Sequence, residues 1–95
     1  MSKKHSSDRF PYELEFKAFK ISQDNVLVKT ADDYCDKLAL FFEEISLRNI
    51  IFSKTNDITK VSLSDIDDYF YQISSKVSPR TYNNFHKVIN QYFRF

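Results

Sequence analysis

The sequence predicts an all-α fold in one small domain, on three observations. The 95 residues contain no Gly, the residue that tight β-turns at positive φ ordinarily require. Apolar residues recur at three- and four-residue steps rather than in alternation. Three such runs are preceded by a Ser or Thr with either an Asp three residues on or a Pro next to it, the signature of a helix start. Hydrophobic residues make up 42% of the chain and include ten Phe and six Tyr, enough to close one core, and at this length only one.

The elements follow in order. Residues 1–9 are polar and basic, with Lys3, Lys4, His5 and Arg9 beside Ser6 and Ser7, and read as a flexible arm; residues 10–95 form the folded domain. Between Tyr12 and Phe19, the apolar positions Leu14, Phe16, Ala18 and Phe19 lead to a short helix, and Asp24 and Asn25 make a turn. Val26 to Val28 then lead to Thr30, read as the cap of the first strongly signalled helix, with Asp33 completing a box-like pattern. Its buried face comprises Ala31, Tyr34, Cys35, Leu38, Phe41, Phe42 and Ile45. Ser46 to Lys60 is a long connection whose cluster Ile50, Ile51 and Phe52 suggests a short helix packed on the core. The next helix has Ser62 as cap, Asp65 at its third position, a Val61–Ile66 staple, and an inward stripe of Ile66, Tyr69, Phe70 and Ile73. The last has Ser78 as cap, Pro79 at the first helical position and a Val77–Tyr82 staple. Tyr82, Phe85, Val88, Ile89, Tyr92 and Phe93 line its apolar side.

Composition also excludes functions. Without Gly there is neither a Walker A loop nor a dinucleotide-binding fingerprint. Cys35 is the only cysteine, so no internal disulfide forms, and a reducing, cytoplasmic setting is expected. His5 and His86 offer no metal-ligand spacing, and no metal or cofactor is expected. The sequence shows no signal-peptide pattern and no apolar run that would span a bilayer, so no membrane association is expected.

Three apparent sites read as structural. Cys35 falls on a buried stripe with no His at helical contact distance, the setting of an inert packed thiol. His86 lies beside an apolar arc with no carboxylate partner nearby in sequence and reads as a boundary or surface residue. Asp65, Asp67 and Asp68 lack calcium-loop spacing and sit in a helix's first turns, where carboxylates collect.

The charge is near balance, at +1, but unevenly spread. Residues 31–76 carry five Lys/Arg against nine Asp/Glu, and residues 77–95 carry three against none. On the last helix Arg80, Asn84, Lys87, Gln91 and Arg94 follow one another at steps of four, three, four and three, one stripe uninterrupted by an acid. Cations interleaved with amides suit duplex DNA, since the cations neutralise phosphates and Asn or Gln hydrogen-bonds base edges. The same three charges are also compatible with an ordinary solvated face.

The order of the capped helices resembles the core-binding domain of tyrosine recombinases, the phage-integrase family. Thr30, Tyr34, Leu38, Phe41, Phe42 and Ile45 resemble its opening helix. Ile58, Thr59, Val61, Ser62, Asp65, Ile66, Tyr69, Phe70 and Ile73 are similar to its next helix, and Ser78, Thr81, Asn83, Phe85, Ile89 and Phe93 to its last. The likeness covers roughly residues 26–95. It implies a four-helix, SAM-like bundle that is one half of a clamp on DNA, non-catalytic in isolation. A separate catalytic domain, expected to lie beyond residue 95, would cut and rejoin strands. The isolated domain is then expected to be monomeric and its parent to assemble as a tetramer on DNA, with no small-molecule substrate. None of Tyr12, Tyr34, Tyr69, Tyr71, Tyr82 or Tyr92 is the attacking nucleophile, and four of them read as core. Carried over position by position, the family's DNA contacts map to Lys29 and Thr30 and to Arg80, Thr81, Asn84 and Lys87, which Gln91 and Arg94 extend along the stripe. The chain departs from the family at Asn84 and Asn90, where relatives often carry Arg, and at Cys35 and Asp36, where residues are frequently basic. The rival expectation, from the acidic faces and near-neutral charge, is a helical protein-interaction module without DNA affinity.

Overall fold

A computed structural model describes residues 8–95, and all regular structure among them is helical. The helices are α1 (Glu13–Ser22), α2 (Val28–Arg48), α3 (Ile50–Thr55), α4 (Leu63–Ser74) and α5 (Pro79–Arg94), with a 3₁₀ turn at Ile58–Lys60. The all-α expectation is met, with five α-helices where the resemblance implied four. The arm assigned to residues 1–9 lies outside the described residues up to Ser7. Arg9 itself belongs to the fold: its Nε, Nη2 and backbone N–H donate to the buried Glu13 carboxylate, and its Nη1 donates to Asp36 at 2.9 Å.

With no Gly available, the left-handed positions fall to Tyr12, Asn25 and Asn56, at φ of 64°, 56° and 54°. Asn tolerates this region because its short side chain hydrogen-bonds locally; Tyr does not, and must be held there. The restraints are visible. Phe10 is buried against Phe42 with ring centroids 5.3 Å apart, and the Tyr92 hydroxyl donates to the Pro11 carbonyl at 2.6 Å.

α2 spans the molecule, 21 residues or about 32 Å at the helical rise. It starts two residues before Thr30, which corrects the cap assigned from sequence. Leu27 occupies the N-cap position with no side-chain cap, and its carbonyl accepts from Ala31 N–H at 2.9 Å. The earlier start places Ala31 in a closed turn with no exposed surface, and frees Asp32 to pair with Lys17 of α1 and Asp33 with Lys37. A half-turn of backbone bonding and two ion pairs replace one hydroxyl cap.

The other two caps form as expected. Ser62 and Asp65 make a reciprocal capping box, Asp65 N–H to Ser62 Oγ at 3.1 Å and Ser62 N–H to Asp65 Oδ2 at 3.0 Å. Ser78 accepts from Thr81 N–H at 3.2 Å, with Pro79 opening α5. In the 46–60 connection the apolar cluster divides: Phe52 enters the core while Ile50 and Ile51 stay exposed. Asn49 organises this corner, accepting from Phe52 N–H and donating to the Lys60 carbonyl and to Asp65, each at 2.9 Å.

The core is an aromatic lattice centred on Phe42, whose ring packs against Phe10, Phe41, Phe52 and Tyr92 at centroid distances of 4.9 to 5.5 Å. Phe41 meets Tyr69 edge-on at 5.0 Å, which joins α2 to α4. Such pairs each add about 0.5–1.5 kcal/mol beyond the area they bury. α5 contributes Phe85, Val88, Ile89 and Tyr92 to this core; Phe93, assigned to the same face from sequence, is 39% exposed.

Candidate nucleic-acid interface

Because Phe85, Val88, Ile89 and Tyr92 face inward, α5 is fixed in rotation and its remaining surface is determined. Arg80, Asn83, Asn84, His86, Lys87, Asn90 and Arg94 are exposed. Arg80, Lys87 and Arg94 are seven residues apart, so they form one line with steps of about 10.5 Å. Among the described residues none of the three is in an ion pair, whereas Arg9, Lys17, Lys20, Lys37 and Arg48 all meet carboxylates. Lys29, Lys54, Lys60 and Lys76 are exposed and outside the ion pairs as well, so what sets α5 apart is the alignment of its open cations on a helix without an acid.

The remaining residues expected at this interface have different placements. Thr81 is half-buried within the α5 cap, where its hydroxyl oxygen accepts from Ser78 Oγ at 3.1 Å. Asn84 is exposed beside the cation line. Gln91 is half-buried and turned to α1, its carboxamide oxygen accepting from Lys20 Nζ. Lys20 is buried and also donates to Asp24 at 2.7 Å, with its ammonium 5.6 Å from the centre of the Tyr34 ring. Gln91 is therefore a strut between α1 and α5, at a cleft of about 350 Å³ that Arg94 and Phe95 border. Lys29 is exposed and unpaired on the first turn of α2, and Thr30 is half-buried beside it. No hydrogen bond among the described residues links either to α5.

Asn83 and Asn90 share the exposed face but fall outside the stripe picked from sequence, which followed only steps through the cations. His86 sits where a boundary residue was expected, exposed at the α4–α5 seam, its ring stacked on Phe70 at 4.6 Å. Asn90 Nδ2 lies 2.9 Å from His86 Nδ1.

The other candidates are structural in the fold. Cys35 is 1% exposed, and burial pushes its thiol up to about 11, away from nucleophilic use at neutral pH. Asp65 serves the capping box, and the Ser62 N–H holds its carboxyl below the usual range. Asp68 faces Arg48 at 3.4 Å, and Asp67 is exposed. Tyr69 and Tyr92 are buried with phenols raised by desolvation, and Tyr34 and Tyr82 are half-buried against the core.

A second surface differs in character. Leu47, Ile50, Ile51 and Leu63 are each at least 60% exposed around the α2–α3 corner and the start of α4, with Glu43 and Asp67 exposed on the same two long helices. Among the described residues no helix is long and apolar enough to cross a membrane. No protein-family model matches this chain, and neither a curated protein nor a solved structure does.

Proposed function

We propose that this chain is a DNA-binding domain of the tyrosine-recombinase core-binding type, a SAM-like bundle that grips a recombination half-site without doing chemistry. In this reading it works in the cytoplasm as a monomeric unit of a larger integrase that assembles as a tetramer on DNA, and α5 lies against the duplex. One observation carries it: α5 has no acid, and its three cations are exposed, collinear and unpaired among the described residues. Lys29 adds an open cation from the first turn of α2.

The test is titration of a labelled duplex at a series of salt concentrations. Three or four phosphate contacts give a log-affinity against log-salt slope of about −3. Absence of duplex binding at low salt overturns the reading. The second reading, a protein-docking module, is favoured by the exposed Leu47, Ile50, Ile51 and Leu63, and it calls for no duplex affinity at all.

A further inference from the structure

We propose that the aromatic cleft at the C-terminal end of α5 is a docking site for an arginine side chain presented by a partner protein. The cleft measures about 340 Å³ and is walled by Tyr12, Ile58, Tyr92, Phe93 and Phe95, with Glu15 at its side. Tyr12, Phe93 and Phe95 are 53%, 39% and 46% exposed, so three rings meet around one concavity instead of closing into the core. Glu15 is in no ion pair among the described residues, and its charge reaches the cleft: the Tyr92 phenol is held above its ordinary value first by burial, then by Tyr12 and Glu15. A second cleft, of about 550 Å³, shares Tyr12, Glu15 and Ile58 with the first and adds Asp8 and Asp57. No Lys or Arg lines either one.

The occupant follows from the charge and the rings together. Three carboxylates with no cation among the lining residues attract a positive group and repel phosphate, so this surface neither serves the DNA-binding reading nor depends on it. Asp8 and Asp57 each use one oxygen within the fold, Asp8 for the Leu14 N–H and Asp57 for Thr59, and keep the other. Thr59 holds the Asp57 carboxyl below its usual range, and the exposed Lys60 adds to this from outside the cleft. A guanidinium suits such a setting best: it stacks flat on aromatic rings, and its fork of donors spans two carboxylate oxygens, whereas an ammonium is a strongly hydrated point charge. The wall is also formed in advance, because the Tyr92 hydroxyl tethers the Pro11 carbonyl and with it the turn that carries Tyr12. Groups fixed before binding lose less entropy when a partner docks.

The probe is a short fluorescein-labelled peptide with two arginines, titrated with the full chain by anisotropy beside the same peptide carrying lysine, or citrulline, the uncharged analogue of arginine, in their place. The parent is expected to favour arginine over citrulline by about tenfold and over lysine by about threefold. Tyr12→Asn removes a ring from the wall and puts at φ 64° a residue that tolerates it, so the variant should keep its fold, which circular dichroism checks. Tyr12→Asn and Glu15→Gln should each weaken binding of the arginine peptide about five- to tenfold, while Asp67→Asn, which removes the same charge from the exposed side of α4, should leave it unchanged. Absence of saturable binding, equal affinity for the citrulline peptide, or parent affinity in Tyr12→Asn or Glu15→Gln overturns the site. An equal loss in Asp67→Asn overturns it as well, since general charge attraction would then account for the binding. Lysine-peptide affinity equal to that for arginine overturns the assignment to a guanidinium.

Discussion

Tyr92 shows how much one side chain settles here. Its ring packs against Phe10, Phe16 and Phe42, and its hydroxyl donates to the Pro11 carbonyl, pinning the turn in which Tyr12 is left-handed. Tyr92→Phe keeps the ring and removes the tether, so urea unfolding should show a loss of about 1 kcal/mol. Cys35 gives a second prediction, with a defined sign. Its thiol is raised in the fold from 9.0 to about 11, so between those values the unfolded chain has released a proton that the folded one keeps. The contribution is intact below pH 9, and stability falls as pH rises from 9 to 11. Tyr69, pushed up to about 12, continues the fall at higher pH. Cys35→Ala should flatten the pH 9–11 part of the stability profile; an unchanged slope would show that the thiol is not the group responsible.

At the level of elements, the three predicted caps give a graded test. Ser62 and Ser78 each accept a backbone N–H, so alanine at either should cost about 1 kcal/mol in denaturant unfolding. Thr30 caps nothing and sits within the first turn of α2, so Thr30→Ala should cost less than about 0.5 kcal/mol. Equal losses at all three would put the start of α2 at Thr30 after all. The contrast also shows what was legible in the sequence. Ser62 and Ser78 were readable because a capping box and a Ser-Pro start are satisfied within four residues. The start of α2 was not, because Asp32 and Ala31 take their places from Lys17 and the core, which local spacing does not encode. Gln91 reads as outward from local spacing for the same reason: its partner Lys20 is 71 residues away in sequence. Asn49 ties α3 to Lys60 and Asp65 through partners 11 and 16 residues away, which local spacing does not encode either.

Across the whole molecule the charge is segregated. α5 is free of acids, while α2 and α4 carry Glu43, Glu44, Asp67 and Asp68. If α5 is the contact face, Asp67→Ala with Asp68→Ala should leave duplex affinity unchanged or slightly higher by fluorescence anisotropy, because those carboxylates lie on another helix. A marked loss of affinity would place α4 in the interface instead. The buried thiol and buried phenols also leave no activated nucleophile in the described core, so incubation with duplex should give no covalent adduct on a denaturing gel. An adduct would contradict a purely gripping role.

The most direct measurement compares the salt dependence of duplex binding in the parent and in the Arg80→Ala, Lys87→Ala double variant. Both side chains are exposed and outside the aromatic core, so the variant should keep its fold. Removing two phosphate contacts should make the log-affinity against log-salt slope shallower by about two. If the double variant binds duplex with the parent's affinity and slope, α5 does not face DNA and the docking role of the Leu47–Ile51 surface takes precedence.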